Sequence, residues 1–187
     1  MEKLLNAEVS NQIKDFLKPM KNEVTMVLFT KKEPCETCKE TRQLLTEVSA
    51  LSDLIHFEEK DIELNSDDAN TYGISLTPSF VVLDHEKKYS GVKFNGIPAG
   101  HEINSFLTAL IDMSGHDLGF DQKVIERIKN INKPINIKVF VTLGCPHCPG
   151  AVSSAHRLAM LNEHIEGEMI EAQTFSALSE KYQVSGV

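Results

Sequence analysis

No run of about 18 apolar residues occurs anywhere in the 187 residues, which excludes a hydrophobic membrane-spanning helix. The N-terminus, "MEKLLNAEVSNQIKDFLKPM", carries Leu4, Leu5, Val9, Ile13 and Leu17 in a helical rhythm broken by charges, so it lacks the apolar core of a secretion signal. Basic residues are scattered and outnumbered, 19 Lys and Arg against 27 Asp and Glu, for a net charge of -8. No basic stripe forms that could track a nucleic-acid backbone. The acidic stretch 58–61 is interrupted by Lys60 and reads as a solvated face. Four cysteines are too few for a secreted disulfide scaffold of this size. Together these absences predict a cytoplasmic protein with neither membrane nor nucleic acid among its partners.

What is present is enough for an ordinary core: 41% hydrophobic and 25% charged residues, in a length that suits one large domain or two small ones. The cysteines come in pairs, Cys35 with Cys38 and Cys145 with Cys148. In a reducing compartment such spacing points to metal binding or thiol chemistry. A shift of 110 positions superposes the two pairs, and their surroundings follow. Upstream lie "VTMVLFT" (24–30) and "INIKVFVT" (135–142), apolar and β-branched runs that suit strands buried on both faces. Downstream, Leu44, Leu45, Val48 and Leu51 form one helical stripe, and Ala151, Val152, Ala155, Leu158 and Ala159 another.

Second strands follow near 55–62 and 165–172, then short helices near 67–72 and 175–182. Each copy therefore begins β-α-β-α, the start of a crossover unit in an α/β sheet. The first copy continues through Thr77-Pro78 into "SFVVLD" and "YSGVKFNGI", joined by the turn "HEKK", and then a helix near 101–113. "MSGHDLGFD" (113–121) reads as a linker. Thr77 aligns with Val187, so the second copy stops one residue before the counterpart of Pro78. The expected organisation is a first unit at 1–115 and a second at 116–187, the second truncated before its proline and terminal hairpin.

A cysteine at the head of a helix sits beside unpaired N–H groups and the positive end of the helix dipole, both of which favour thiolate. Cys35 and Cys145 are expected there, with Cys38 and Cys148 one turn on, more buried and suited to resolving a mixed disulfide. Pro146 is expected at the first helical position, and His147, when protonated, places a positive charge near Cys145. The first pair encloses Glu36 and Thr37 instead, with Lys31 and Lys32 close by. Cys145 is accordingly expected to be the more acidic thiol and its pair the more oxidising. A Thr77-Pro78 bond in the cis form beside a dithiol would turn the Thr77 backbone outward to pair with an extended substrate.

Strand, CxxC, helix, strand, helix, Thr-Pro, hairpin and helix is the layout of the thioredoxin fold, and its tandem doubling resembles the glutaredoxin-like protein disulfide oxidoreductases. The specific matches are "FNGIPAGHE" (94–102), "VFVTLGCPHCPGAV" (139–152) and "AHRLA" (155–159). The resemblance implies an α/β protein of two thioredoxin-fold units, each a central mixed sheet flanked by helices, the second incomplete at its C-terminus. It implies dithiol–disulfide exchange on protein substrates by reduction, oxidation or isomerisation, with a thioredoxin-reductase-like flavoprotein donor and a peroxiredoxin acceptor as the partners to expect. Cys35 and Cys145 would attack, Cys38 and Cys148 would resolve, and Pro78 would be the cis-proline. No bound cofactor is required, because the dithiol itself carries the two electrons. Phe29 and Val139 stand six residues before the first cysteines, where thioredoxins bury an Asp, so the proton acceptor is left unassigned.

Two other readings compete. A metal or iron–sulfur module would use the CxxC pairs as ligands, though more than a hundred residues separate them, against the short spacing of ordinary zinc sites. A peptide-binding protein would work through its grooves alone. Phe80, Phe94 and Phe106 are expected in the core. His56, His85, His156 and His164 read as surface histidines, and His101 with Glu102 as a helix cap.

Overall fold

The computed structural model describes residues 3–187 and contains one six-stranded sheet in the order β2-β1-β3-β4-β6-β5. The strands are β1 (Val24–Thr30), β2 (Ile55–Asp61), β3 (Ser79–Leu83), β4 (Tyr89–Asn95), β5 (Ile135–Val141) and β6 (Ile165–Glu171). All run parallel except β3, which lies antiparallel between β1 and β4. The helices are α1 (Ala7–Leu17), α2 (Cys38–Ser49), α3 (Ser66–Thr71), α4 (Ile103–Met113), α5 (Gln122–Lys129), α6 (Cys148–Leu161) and α7 (Ser176–Lys181), with a 3-10 turn at Gly100–Glu102. None of the described helices is long and apolar enough to cross a membrane. The α/β fold of two thioredoxin-type units is thus borne out, and the parallel pairing of β4 with β6 fuses the two sheets into one.

Alternation along β4 and β6 explains why one face of this sheet is apolar and the other polar. Val92, Phe94 and Met169 point into the main core, where Phe80 stacks on Phe94 at 4.7 Å and Phe106 meets both rings edge-on. The helices α4 and α6 cover this side together, joined by Arg157 on the buried Asp112 at 2.7 Å. The opposite side of the same strands carries Lys93, Asn95, Glu166 and Glu168. Lys93 is 1% exposed, yet its Nζ lies 2.6 Å from Glu166, 3.5 Å from Glu168 and 3.0 Å from the Gly73 carbonyl. Asn136 of β5 donates to both carboxylates, so the buried charges are paired across the junction of the two units.

Several sequence expectations need correction. β1 is buried throughout, as its composition suggests, but β5 is exposed at Ile135 and Asn136 and half-buried from Ile137 to Phe140, having a strand neighbour on one side alone among the described residues. No element is expected at α5 from the sequence, although Val124 and Ile128 of this helix lie one turn apart on a single apolar face. Its signal lies in Asp121, whose carboxylate caps the Val124 N–H at 2.9 Å ahead of Val124 and Ile128. His156 is no surface histidine: it is 1% exposed, its Nε2 bonds the Lys93 carbonyl at 3.1 Å, and its ring packs on Phe94. The strand registers also shift the repeat. Phe29 pairs with Lys60 and Phe140 with Ile170, so Phe140, not Val139, is the structural counterpart of Phe29.

Candidate active site: two dithiols on one edge

Both cysteine pairs follow the C-terminal ends of parallel strands, Cys35 after β1 and Cys145 after β5, and so they share one edge of the sheet. Four strand spacings separate β1 from β5, about 19 Å. That places the pairs on one face of the molecule, beyond direct disulfide reach of each other and unable to close on a single metal ion. Among the described residues no three His, Cys, Asp or Glu side chains converge as metal ligands. Each pair forms its own disulfide, with Cα separations of 5.6 Å at 35/38 and 5.5 Å at 145/148.

The helices begin later than the spacing suggests. Cys38 and Cys148 are the first helical residues, so Cys35 and Cys145 lie in the loops just ahead. Pro146 likewise precedes the cap residue His147 and stiffens the loop; Pro149 is the proline in the first turn. Exposure divides the pairs as the chemistry requires. Cys35 and Cys145 are half-buried, whereas Cys38 is 6% and Cys148 8% exposed.

The two sulfurs meet different surroundings. The Cys148 N–H, an unpaired donor of the first turn of α6, points at Cys145 Sγ at 3.2 Å. At the first pair the Cys35 N–H is taken by Glu33 at 3.2 Å, and Cys35 Sγ lies 3.8 Å from the Glu36 carbonyl oxygen. A helix N–H stabilises a sulfur anion, and a carbonyl oxygen opposes one. The start of α2 is also less regular: Thr37 has φ 62°, a conformation costing about 1 kcal/mol for a residue with a Cβ, and its Oγ1 is buried without a partner. His147, at φ -96°, is exposed beside Cys145.

The pairing of Phe29 with Ser79 puts Pro78 level with Thr30, at the root of the loop that carries Cys35. The Thr77–Pro78 bond is cis, with Pro78 buried and Thr77 half-buried. Leu64, 80% exposed in the loop after β2, lies on the same edge, an apolar surface residue that sequence patterning could not single out.

Glu102 stands at the N-cap position of α4, as expected, but its side chain makes no capping bond. It is 0% exposed and is held by Ser105 through one carboxylate oxygen while the other has no partner. Burial pushes its pKa up, against the Ser105 hydrogen bond. The turn that carries it packs on α6, whose first residue is Cys148. The sequence shows only a glutamate directly after a glycine-histidine turn, and its burial becomes visible in the structure alone.

Strand order, helix placement and paired cysteines at the head of α2 and α6 define a double thioredoxin fold with two CxxC centres. Residues 135–187 match the family described as "Thioredoxin domain". The structure is similar to the alkylhydroperoxide reductase AhpF of Enterococcus faecalis, with a TM-score of 0.92 and 29% identity over 99% of this chain and 88% of that one. A protein disulfide oxidoreductase from Aeropyrum pernix is similar with a TM-score of 0.89 and 26% identity, over 97% and 81% of the two chains. Among curated proteins, the F component of the alkyl hydroperoxide reductase of Staphylococcus aureus is 32% identical over 95% of this chain. The chain spans 32% of the length of that relative. In fold and in its doubled CxxC pattern the chain is similar to these tandem thioredoxin-fold proteins.

Proposed function

We propose that the chain is a cytoplasmic thiol–disulfide oxidoreductase that exchanges disulfides with protein substrates through two CxxC sites. The observation that carries this reading is the repeated asymmetry of exposure, a half-exposed sulfur ahead of a helix and a buried one in its first turn. A Cys145 or Cys35 thiolate attacks a substrate disulfide, forming a mixed disulfide and releasing one substrate thiolate. Cys148 or Cys38 then gives up its proton and attacks the mixed bond, leaving a CxxC disulfide and a fully reduced substrate. The same steps run backwards oxidise a dithiol. No bound cofactor enters, since the sulfurs themselves exchange two electrons.

Thr77 and Pro78 form the substrate-binding ledge beside Cys35, with Leu64 as an apolar contact, and Pro146 and His147 tune the Cys145 thiolate. Glu102, whose pKa is raised by burial, accepts the Cys148 proton when that cysteine resolves. A flavoprotein of the thioredoxin-reductase type suits the donor role and a peroxiredoxin the acceptor role. The similarity to alkyl hydroperoxide reductase components supports that pairing.

Equilibration against graded glutathione buffers, acid quenching and alkylation, with peptide mass spectrometry reading each pair separately, tests the proposal. Both pairs should close internally within about -270 to -120 mV, the range of dithiol catalysts. Thiols that close at no potential in this range, or that alkylate only after chelator is added, would overturn it.

A further inference from the structure

The first unit contributes to the second dithiol. After β4, the segment 96–102 runs along the active edge and is tied at both ends. The Gly96 N–H donates to the Pro78 carbonyl at 2.9 Å, and the His101 N–H donates to the Leu143 carbonyl at 2.9 Å. Leu143 stands two residues before Cys145, inside a turn that the Cys145 N–H closes onto the Thr142 carbonyl at 3.1 Å. Gly100, at φ 57°, approaches so closely that a Cβ there would lie 2.4 Å from the Leu143 carbonyl oxygen. The first pair has no such support in the bonds described, since the Cys35 N–H is held by Glu33 of its own loop.

We propose that Gly100 and His101 are positioning residues for the 145/148 pair. Their backbone holds the Leu143 turn against the head of α6, so that the Cys148 N–H keeps its aim at Cys145 Sγ. The second dithiol is therefore a composite site, and the thiolate stabilisation it enjoys depends on a segment of the first unit. Displacing the turn weakens the N–H···S bond, destabilises the reduced form and drives the pair toward disulfide. This rests on the oxidoreductase reading only for its biological sense; the positioning itself is a property of the folded chain.

Gly100→Ala tests it, with Gly119→Ala as control. Gly119 has φ 76° but open space around it, so its alanine variant carries backbone strain without collision. Gly100→Ala should move the 145/148 glutathione equilibrium about fivefold toward disulfide, the worth of one modest hydrogen bond, and leave 35/38 in place. Gly119→Ala should move neither. Equal shifts of both pairs, or no shift in a folded Gly100→Ala protein, overturn the proposal.

A second readout needs no substitution at Gly100. By reciprocity, a bond that biases the dithiol must itself respond to the dithiol's redox state. The His101 amide should exchange with deuterium up to about fivefold faster when 145/148 is oxidised than when it is chemically reduced, and be indifferent to 35/38. An unchanged rate rejects the positioning role. If the amide responds while neither pair equilibrates with glutathione, the oxidoreductase reading falls and the positioning role stands.

Discussion

At the first dithiol the Cys35 N–H is taken by Glu33 and its sulfur faces a carbonyl oxygen, whereas at the second an N–H of α6 aims at Cys145 Sγ. The scaffolds beneath are alike, each a parallel strand, a short loop and a helix opening on the buried cysteine. The fold fixes where a dithiol sits, and the two or three residues around it set how readily it ionises. The other face of the sheet repeats the contrast. Under α3 the first unit buries Val27, Phe29, Val81 and Leu83, while the junction with the second buries Lys93 among carboxylates.

The largest expected effect breaks that second contrast. Lys93→Met leaves the Glu166 and Glu168 carboxylates facing an apolar side chain, and truncating one partner of a buried pair costs about 3 to 5 kcal/mol. Glu166 is less enclosed than Lys93, at 29% side-chain exposure, so the lower end is expected. Urea unfolding measures it. Adding Glu168→Gln should restore part of the loss, and a Lys93→Met protein as stable as the parent would mean the junction does not need its charges.

Glu102→Gln sharpens the comparison from the catalytic side. Losing a positioned proton acceptor costs about a hundredfold or more, and it should do so at the second site alone. Single-pair variants assayed for disulfide reduction read this directly, and the inflection that the raised Glu102 pKa gives to the second site's pH–rate profile should disappear. Equal slowing at 35/38 would make Glu102 a structural residue.

The thioredoxin layout is legible in the sequence because its signals are local. The strand 24–30 is an unbroken apolar run, CxxC marks the turn, and Thr77-Pro78 marks the next strand. The burial of Glu102 is not legible, since the turn that carries it packs on α6, distant in sequence, and its neighbours Gly100 and His101 are exposed. His156 hides because its partners are distant in sequence: it lies on the stripe side of α6, against Lys93 and Phe94 of β4.

His156 has a pH consequence. Burial pushes its pKa down to about 4, against the raising effect of the Lys93 carbonyl. The unfolded chain, with an ordinary histidine near 6.5, binds more protons between those values, so stability is full above about pH 6.5 and is lost as pH falls toward 4. The loss should approach about 3 kcal/mol. His156→Phe should flatten that slope in urea unfolding followed from pH 7 to 4, and an unchanged slope would assign it to the carboxylates.

The smallest effect tests the comparison at its source. Iodoacetamide alkylation of reduced single-pair variants across pH should find Cys145 the more acidic thiol, given the helix N–H at its sulfur and the opposing groups at Cys35. Exchanging Pro146-His147 for Glu-Thr should move Cys145 only part of the way toward Cys35, by about threefold in its thiolate equilibrium, because one nearby charge on an exposed loop is heavily screened. The remaining difference belongs to the backbone, in the N–H of Cys148 and the turn that aims it. A full reversal by the dipeptide exchange would transfer that difference to His147 and reduce the helix start to a scaffold.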